Sequence, residues 1–498
     1  MPELATGRRK LPGNREREEW LDDGIQVQSP HGPAPVPRVR GGMSIAVAPG
    51  YDGVVDALPV ESRHAFAYRW YVVLFLTLAA TVSTIDRQIL ALMIGPVKRD
   101  LGVSDTMMGL LGGLAFTLFY TLLTLPMAWA ADRTSRRRII GPGILFWSVA
   151  TMACGLAARF WHLFAARMAV GVGEAALAPA AISMLSDYFD RAKLPLALGV
   201  FSAAPFIGVG LANILGGSVV DHLEAMPQVT LPLFGDLKSW QAMFIVVGAP
   251  GILLAFLTLT IREPRRTGRV DVGGKGMAIT EVVRFFAGRR RFLVFHFMGF
   301  TALAMQGWAL FYWVVEFFIR EHAGDRATVG LTFGTIALVL GTLGSVVAGL
   351  LSARMMRAGR ADATLRLVMI IAIVLVPVGI AAPLVPSYAG AMALIALASF
   401  FMGWPNGLGT AALQLIVPNE LRGQVMALYY VVVNFLSYSL GPLLGGLISD
   451  QLFSGKSLGG TLALMAAVNY PIGAFCMWRC LTHFRKALAS AEAWRGQD

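Results

Sequence analysis

Asp86 and Arg87, in the stretch S-T-I-D-R-Q-I-L, and Arg167 and Glu174, in R-M-A-V-G-V-G-E, stand inside long apolar runs. Each charge at a bilayer centre costs roughly 3 kcal/mol, so two acids and two bases at such depth mark a site that holds ions or moves protons. The first run is read as crossing outward, which puts Asp86 roughly 13 Å below its outer end at helical rise. The run carrying Arg167 comes back inward, with Arg167 roughly 9 Å below Trp161. The depths match, and the spacing predicts an Asp86 to Arg167 pair. Arg167 and Glu174 share a helix face but stand roughly 10 Å apart, so Glu174 takes Arg87 as its partner. A static set of structural ion pairs is the plainer alternative. A fifth charge, Glu316, lies near the outer end of its run.

These residues need helices to position them. The chain has 498 residues, 56% hydrophobic and 14% charged, where a soluble domain carries about a quarter charged residues. Apolar runs of about 20 residues fall near 68–95, 106–131, 138–157, 161–187, 195–220, 239–261, 291–319, 328–355, 364–384, 388–416, 423–450 and 459–482. The expected fold is therefore an all-α membrane protein with twelve transmembrane helices. About twenty Arg and Lys collect in the loops on one side and about seven on the other, which puts both termini in the cytoplasm.

The basic connection 263–290 divides the chain into six-helix halves, 66–262 and 291–484. An internal echo supports the division: Leu215-Gly216-Gly217-Ser218-Val219-Val220-Asp221 ends span 5 and Leu444-Gly445-Gly446-Leu447-Ile448-Ser449-Asp450 ends span 11. Two pseudo-symmetric halves are the architecture of transporters that rock about a midplane site.

Residues 1–65, with Gly-Arg-Arg-Lys and a Pro-rich stretch, form a polar tail that is expected to be disordered, and Met43 is an alternative start. Residues 485–498 are expected to form a cytoplasmic tail. The net charge of +12 gathers between apolar runs, which points to anionic lipid headgroups and away from nucleic acid. Cys154, Cys476 and Cys480 all lie in apolar runs and read as buried thiols. No Walker loop, D-x-D-x-D-G loop or H-E-x-x-H pair occurs, so the sequence calls for no cofactor, no metal and no enzymatic chemistry.

Between spans 2 and 3, Asp132, Arg133, Arg136 and Arg137 stand in Ala128-x-x-x-Asp132-Arg133-x-Ser135-Arg136-Arg137. Asp132 can accept from amides at a neighbouring helix N-terminus while the arginines hold phosphates or carboxylates at the interface. Their plainer role is to set topology. The stretch resembles the G-x-x-x-D-R-x-G-R-K signature of the major facilitator superfamily, with Ala and Ser in place of its two glycines. Asp86-Arg87-Gln88 together with Arg167-x-x-x-Gly171-x-Gly173-Glu174-Ala175 is similar to the spinster-like branch. The resemblance covers residues from about 68 to 484.

That resemblance implies alternating access, a loop 2-3 latch on the cytoplasmic gate, and a lysolipid or other amphipathic anion as substrate. Sugar acids and drugs are alternatives, as is a receptor or scaffold of the same fold that does not transport. The expected function is secondary active transport across the inner membrane by a monomer, with Asp86, Arg87, Arg167 and Glu174 coupling protons to the substrate. Gln306, Trp308, Tyr312, Asn406 and Asn434 are candidates for the cavity wall, although polar residues in such spans serve equally well as interhelical contacts.

Overall fold

The computed structural model describes residues 63–190, 193–224, 226, 229–231, 234–264, 266, 287–417 and 419–495. The N-terminal tail up to residue 62 and most of the 263–290 connection lie outside them. Among the described residues, eleven helices are long and apolar enough to cross a membrane. They are α1 (Phe66–Leu92), α2 (Asp105–Arg133), α4 (Phe160–Tyr188), α5 (Leu196–Val220), α6 (Ser239–Thr260), α7 (Arg290–His322), α8 (Arg326–Arg357), α9 (Ala363–Leu384), α10 (Tyr388–Ile416), α11 (Gln424–Phe453) and α12 (Leu458–Arg485). The remaining expected span is the 19-residue helix α3 (Arg136–Cys154), whose opening three arginines leave its apolar part shorter than in the others. In hydrocarbon every backbone amide must be satisfied within its own segment, which is why apolar runs of this length fold as helices.

α12 continues as a helix to Arg495, so the expected C-terminal tail from residue 485 is largely an extension of the last span. A short helix, Ile94–Leu101, follows α1 and ends on Gly102, whose φ of 62° is the left-handed conformation that glycine adopts without strain. A two-stranded hairpin, Val229–Leu231 with Gly235–Leu237, joins α5 to α6.

The helices form two sets of six, α1–α6 and α7–α12, that meet along two seams, α2 with α11 and α5 with α8. One end of the molecule carries Arg133, Arg136–Arg138, Arg289–Arg291, Arg354 and Arg357, and is termed the basic end. A single apolar core takes in the first half, from Val72 and Ile140 near the basic end to Ile89 and Leu111 at the opposite, far end, and continues at the far end into Trp313, Phe317 and Phe333 of the second. Toward the basic end the second half has its own core, built from Phe292, Leu365, Leu413, Tyr429 and Phe484. The core of the first half crosses into the second at the far end and stands apart from the second half's own core at the basic end, so the halves are joined at the far end and parted at the other. Cys154, Cys476 and Cys480 are free and buried.

Candidate functional site

The α4 motif positions its acid through its glycines. A Cβ on Gly171 would stand 2.3 Å from the Phe116 carbonyl oxygen of α2, and one on Gly173 would stand 2.7 Å from the Trp147 nitrogen of α3. Only glycine admits that approach. α4 is thereby pressed between α2 and α3, and Glu174 reaches α1. There Arg87 Nε lies 3.1 Å from Glu174 Oε2, with the acid's side chain 1% exposed and the arginine's 21%. Ser83, one turn before Arg87, donates its hydroxyl to the same carboxylate oxygen at 2.5 Å. Glu174 Oε1 has no partner among the described residues. The Arg87 guanidinium carbon stands 5.3 Å from the centroid of the Phe116 ring and 5.8 Å from that of Tyr120, within cation–π range.

Arg87 and Glu174 thus form the pair that their spacing suggested. Asp86 and Arg167 differ from the expected pair. Arg167 Nη1 donates to the main-chain carbonyl of Asp86 at 3.3 Å, and the carboxylate instead accepts from Thr151 Oγ1 at 3.3 Å. Depth along the membrane brought the two residues together. The azimuth of α1 then turned the Asp86 side chain toward α3, a variable that depth does not contain. Asp86 Oδ1 and Arg167 Nε are both buried without a hydrogen-bond partner among the described residues. Phe116 lies 5.8 Å from the Arg167 guanidinium carbon as well, so one ring serves both arginines.

The parted halves enclose a cavity of about 1040 Å³. Ser83, Arg87, Tyr120 and Glu174 line its first-half wall, and Leu303, Ile371, Leu375 and Tyr470 give the second half an apolar wall. The lining continues through Ser352, Ala353 and Met356, so the cavity extends along α8 toward the basic end. A small recess of about 40 Å³ at its inner limit holds Arg87 and Arg167 together with Trp308, Tyr312 and Tyr438.

Among the expected cavity residues, Asn434 lines the wall and Trp308 does so stacked on Tyr438, with ring centroids 3.7 Å apart. Tyr312 lines the recess and donates to the Met108 carbonyl of the other half at 2.6 Å. Gln306 points elsewhere: it accepts from Asn469 at 3.2 Å and donates to the Leu462 carbonyl at 3.4 Å, joining α7 to α12. The side chain of Asn406 lies outside the described residues. Sequence reading missed Tyr120, Tyr438 and Tyr470, whose aromatic types fit lipid-facing and cavity-facing positions equally well.

At the basic end the loop 2-3 residues bond within the first half and to the start of the connection that follows it. Asp132 and Arg133 are exposed, with the Arg133 guanidinium 4.0 Å from the Trp129 ring centroid. Arg136 is buried and pairs with Asp187 and with Glu263. The capping expected of Asp132 is performed by Glu263, which accepts from the amides of Arg136 at 3.2 Å and Arg137 at 3.1 Å and from Ser135 Oγ at 2.9 Å. A carboxylate 131 positions downstream of Asp132 carries no local signal that it belongs to this turn.

Partial burial disfavours the charged form of Glu263, but these amides, the Arg136 guanidinium and the Ser135 hydroxyl outweigh it and hold the carboxyl below the usual glutamate range. The contribution is therefore complete above the ordinary glutamate value of about 4.3 and is lost as pH falls through the lower, folded value. Glu263→Ala is expected to lower stability by about 1 to 2 kcal/mol at neutral pH, the cost of losing a helix cap. Thermal unfolding of the detergent-solubilised protein should show that difference at pH 7 and a smaller one near pH 4.

Opposite this end, Asp105 of α2 is held by Lys98 Nζ at 2.6 Å, by both terminal nitrogens of Arg320 at 2.9 and 3.0 Å, and by Ser449 Oγ at 2.8 Å. Arg320 also donates to Glu316 at 2.7 Å. Arg320 and Ser449 belong to the second half, so this carboxylate ties the two halves together. Reading the second span from residue 106 left Asp105 outside it, and the network went unseen.

The comparisons agree with this architecture. The profile of the Major Facilitator Superfamily matches residues 76–442. An "MFS-type efflux pump" of Mycolicibacterium smegmatis is 27% identical over 85% of this chain and 95% of its own length. A "Probable L-galactonate transporter" of Escherichia coli is 24% identical, covering 84% and 93% respectively. The crystal structure of a bacterial homolog of the human lysosomal transporter Spinster, inward-facing and unoccupied, superposes with a TM-score of 0.68 at 26% identity, covering 86% of this chain and 96% of that one. A matched profile over most of the chain, eleven membrane-length helices among the described residues and a central cavity make this chain a multi-pass membrane protein that belongs to the Major Facilitator Superfamily of transporters, with the spinster proteins among its relatives.

Proposed function

We propose that the chain is a proton-coupled secondary transporter of the inner membrane that carries an amphipathic organic anion, lysolipid-like in shape, by alternating access. The observation that carries this reading is the Arg87–Glu174 pair set in the wall of a cavity of about 1040 Å³ whose opposite wall is apolar. An anionic headgroup competes with Glu174 for Arg87, and the apolar part of the same molecule rests against Leu303, Ile371 and Leu375. Glu174, once its counter-charge is drawn off, takes a proton in its buried setting. An anion at Arg87 and a proton on Glu174 therefore favour one another, and their binding is linked. Asp86 and Arg167 complete the charge set from behind, through Thr151 and the Asp86 carbonyl.

The basic end is assigned to the cytoplasm by its arginines. On that assignment the described geometry is inward-open. Asp132, Arg133, Arg136 and Arg137 then stand at the mouth, where they serve the outward-open state as a latch. A single chain encloses the whole cavity, and the reading takes the monomer as the working unit. Transport of sugar acids is the second reading, supported by the L-galactonate transporter among the relatives.

Purified protein in liposomes with an imposed pH gradient tests both. Accumulation of a radiolabelled lysophospholipid that collapses with a protonophore is the expected result. Accumulation of a labelled hexonate in its place favours the second reading. Gradient-independent signals for both ligands, equal to those of empty liposomes, would overturn transport altogether.

A further inference from the structure

The two copies of the repeated L-G-G segment occupy matching places on the two seams between the halves. In α11, a Cβ on Gly446 would stand 2.1 Å from the carbonyl oxygen of Asp105, the first residue of α2. In α5, a Cβ on Gly217 would stand 2.8 Å from the carbonyl oxygen of Arg326, the first residue of α8. Each glycine lets its helix touch the start of a helix from the other half. One turn beyond Gly446, Asp450 accepts from the amide of Asp105 at 3.2 Å, from the amide of Thr106 at 2.7 Å and from Thr106 Oγ1 at 2.6 Å.

Those amides are two of the donors that a helix start leaves without an intrahelical partner. The next, on Met107, is taken by Ser104 Oγ at 3.3 Å within the same half. α8 opens in the same way, with Asp325 accepting from the Thr328 amide at 2.7 Å. At α2 the cap supplied within the half therefore covers the third donor, and the first two are taken by Asp450 of the other half. Asp221 stands four residues after Gly217, as Asp450 stands four after Gly446.

We propose that the repeat is a joint used twice: at each seam an aspartate at the end of α11 or α5 caps, across the interface, the first turn of α2 or α8, and so holds the far end closed. Asp450 has this geometry. Asp221, at the matching place of the repeat, is assigned the same task by that sequence match alone. Both are positioning residues for the transport cycle, and Asp450 is not among the residues that line the cavity. A carboxylate at a helix start also gains from the macrodipole, which adds to the hydrogen bonds of Asp450 when the far end closes. Opening it returns all of these groups to water.

The test uses the full chain with its three cysteines replaced by serine, in lipid nanodiscs without substrate. Spin labels at His162 and Lys456 report the far end, and a second pair at Arg138 and Arg357 reports the basic end, by double electron–electron resonance. Asp450→Ala is expected to shift the closed-to-open ratio at the far end about tenfold toward open, the size of a lost helix cap. Asp221→Ala should shift it by a similar factor, with the basic-end distance shortening in both. Asp450→Asn keeps an acceptor oxygen and should stay near the parent. An Asp450→Ala distribution identical to the parent's overturns the joint, and an inert Asp221→Ala beside a responsive Asp450→Ala overturns its double use. If the alanine variant cannot be purified, Asp450→Ser, whose acceptor sits on a shorter arm, is read against the same two outcomes.

Discussion

Glu174→Gln is expected to abolish accumulation driven by a pH gradient while leaving substrate counterflow in place. One proton per substrate across a gradient of one pH unit supports about tenfold accumulation, because one unit is worth about 1.4 kcal/mol. Without a titrating carboxyl that ratio falls to one. Gln keeps the shape of Glu and an oxygen to accept from Ser83, so the helix contacts of α1 and α4 survive. Counterflow needs no net proton movement and measures whether the cavity still opens to each side. Tenfold accumulation retained by the Gln variant would remove Glu174 from the coupling. Asp86→Asn is the informative companion, since Asp86 is fully buried behind the cavity wall and bonded to Thr151. Equal loss in both variants means the two acids titrate as a coupled pair, and retained accumulation in Asp86→Asn assigns the proton to Glu174 alone.

Arg87→Ala is expected to cost about 3 to 5 kcal/mol of stability, because it leaves the Glu174 carboxylate buried without a counter-charge. The double variant Arg87→Ala with Glu174→Gln should regain most of that loss, and melting temperatures of the four proteins give the coupling directly. Strictly additive losses would show that the pair stores no interaction energy. The corresponding cycle for Arg167→Ala with Asp86→Asn is expected to show a smaller coupling. Arg167 donates to the Asp86 carbonyl, and asparagine presents the same carbonyl. Two cycles on neighbouring pairs thus separate a carboxylate–guanidinium bond from a main-chain one.

The sequence by itself determined the spans, their division into two halves, the burial of the three cysteines and the four charges at the centre. These follow from composition along the chain, because the bilayer charges each segment separately for every polar group it contains. The Arg87–Glu174 pair was also within reach, since matching depth and a shared helix face left few partners.

Only the tertiary structure decided the rest. Asp86 turned toward Thr151, because helix azimuth is set by packing, and the glycines Gly171 and Gly173 fix that packing against α2 and α3. Glu263 took the cap expected of Asp132 from 131 positions away, and Asp450 capped α2 from 345 positions away. Hydrogen bonds between such distant residues depend on where two helices cross, a property that no window along the chain contains. Which end stands closed was equally beyond the sequence. The far-end bonds of Asp105, Arg320 and Asp450 exist only where helices of the two halves cross at that end, and the transport cycle proposed above has to break them.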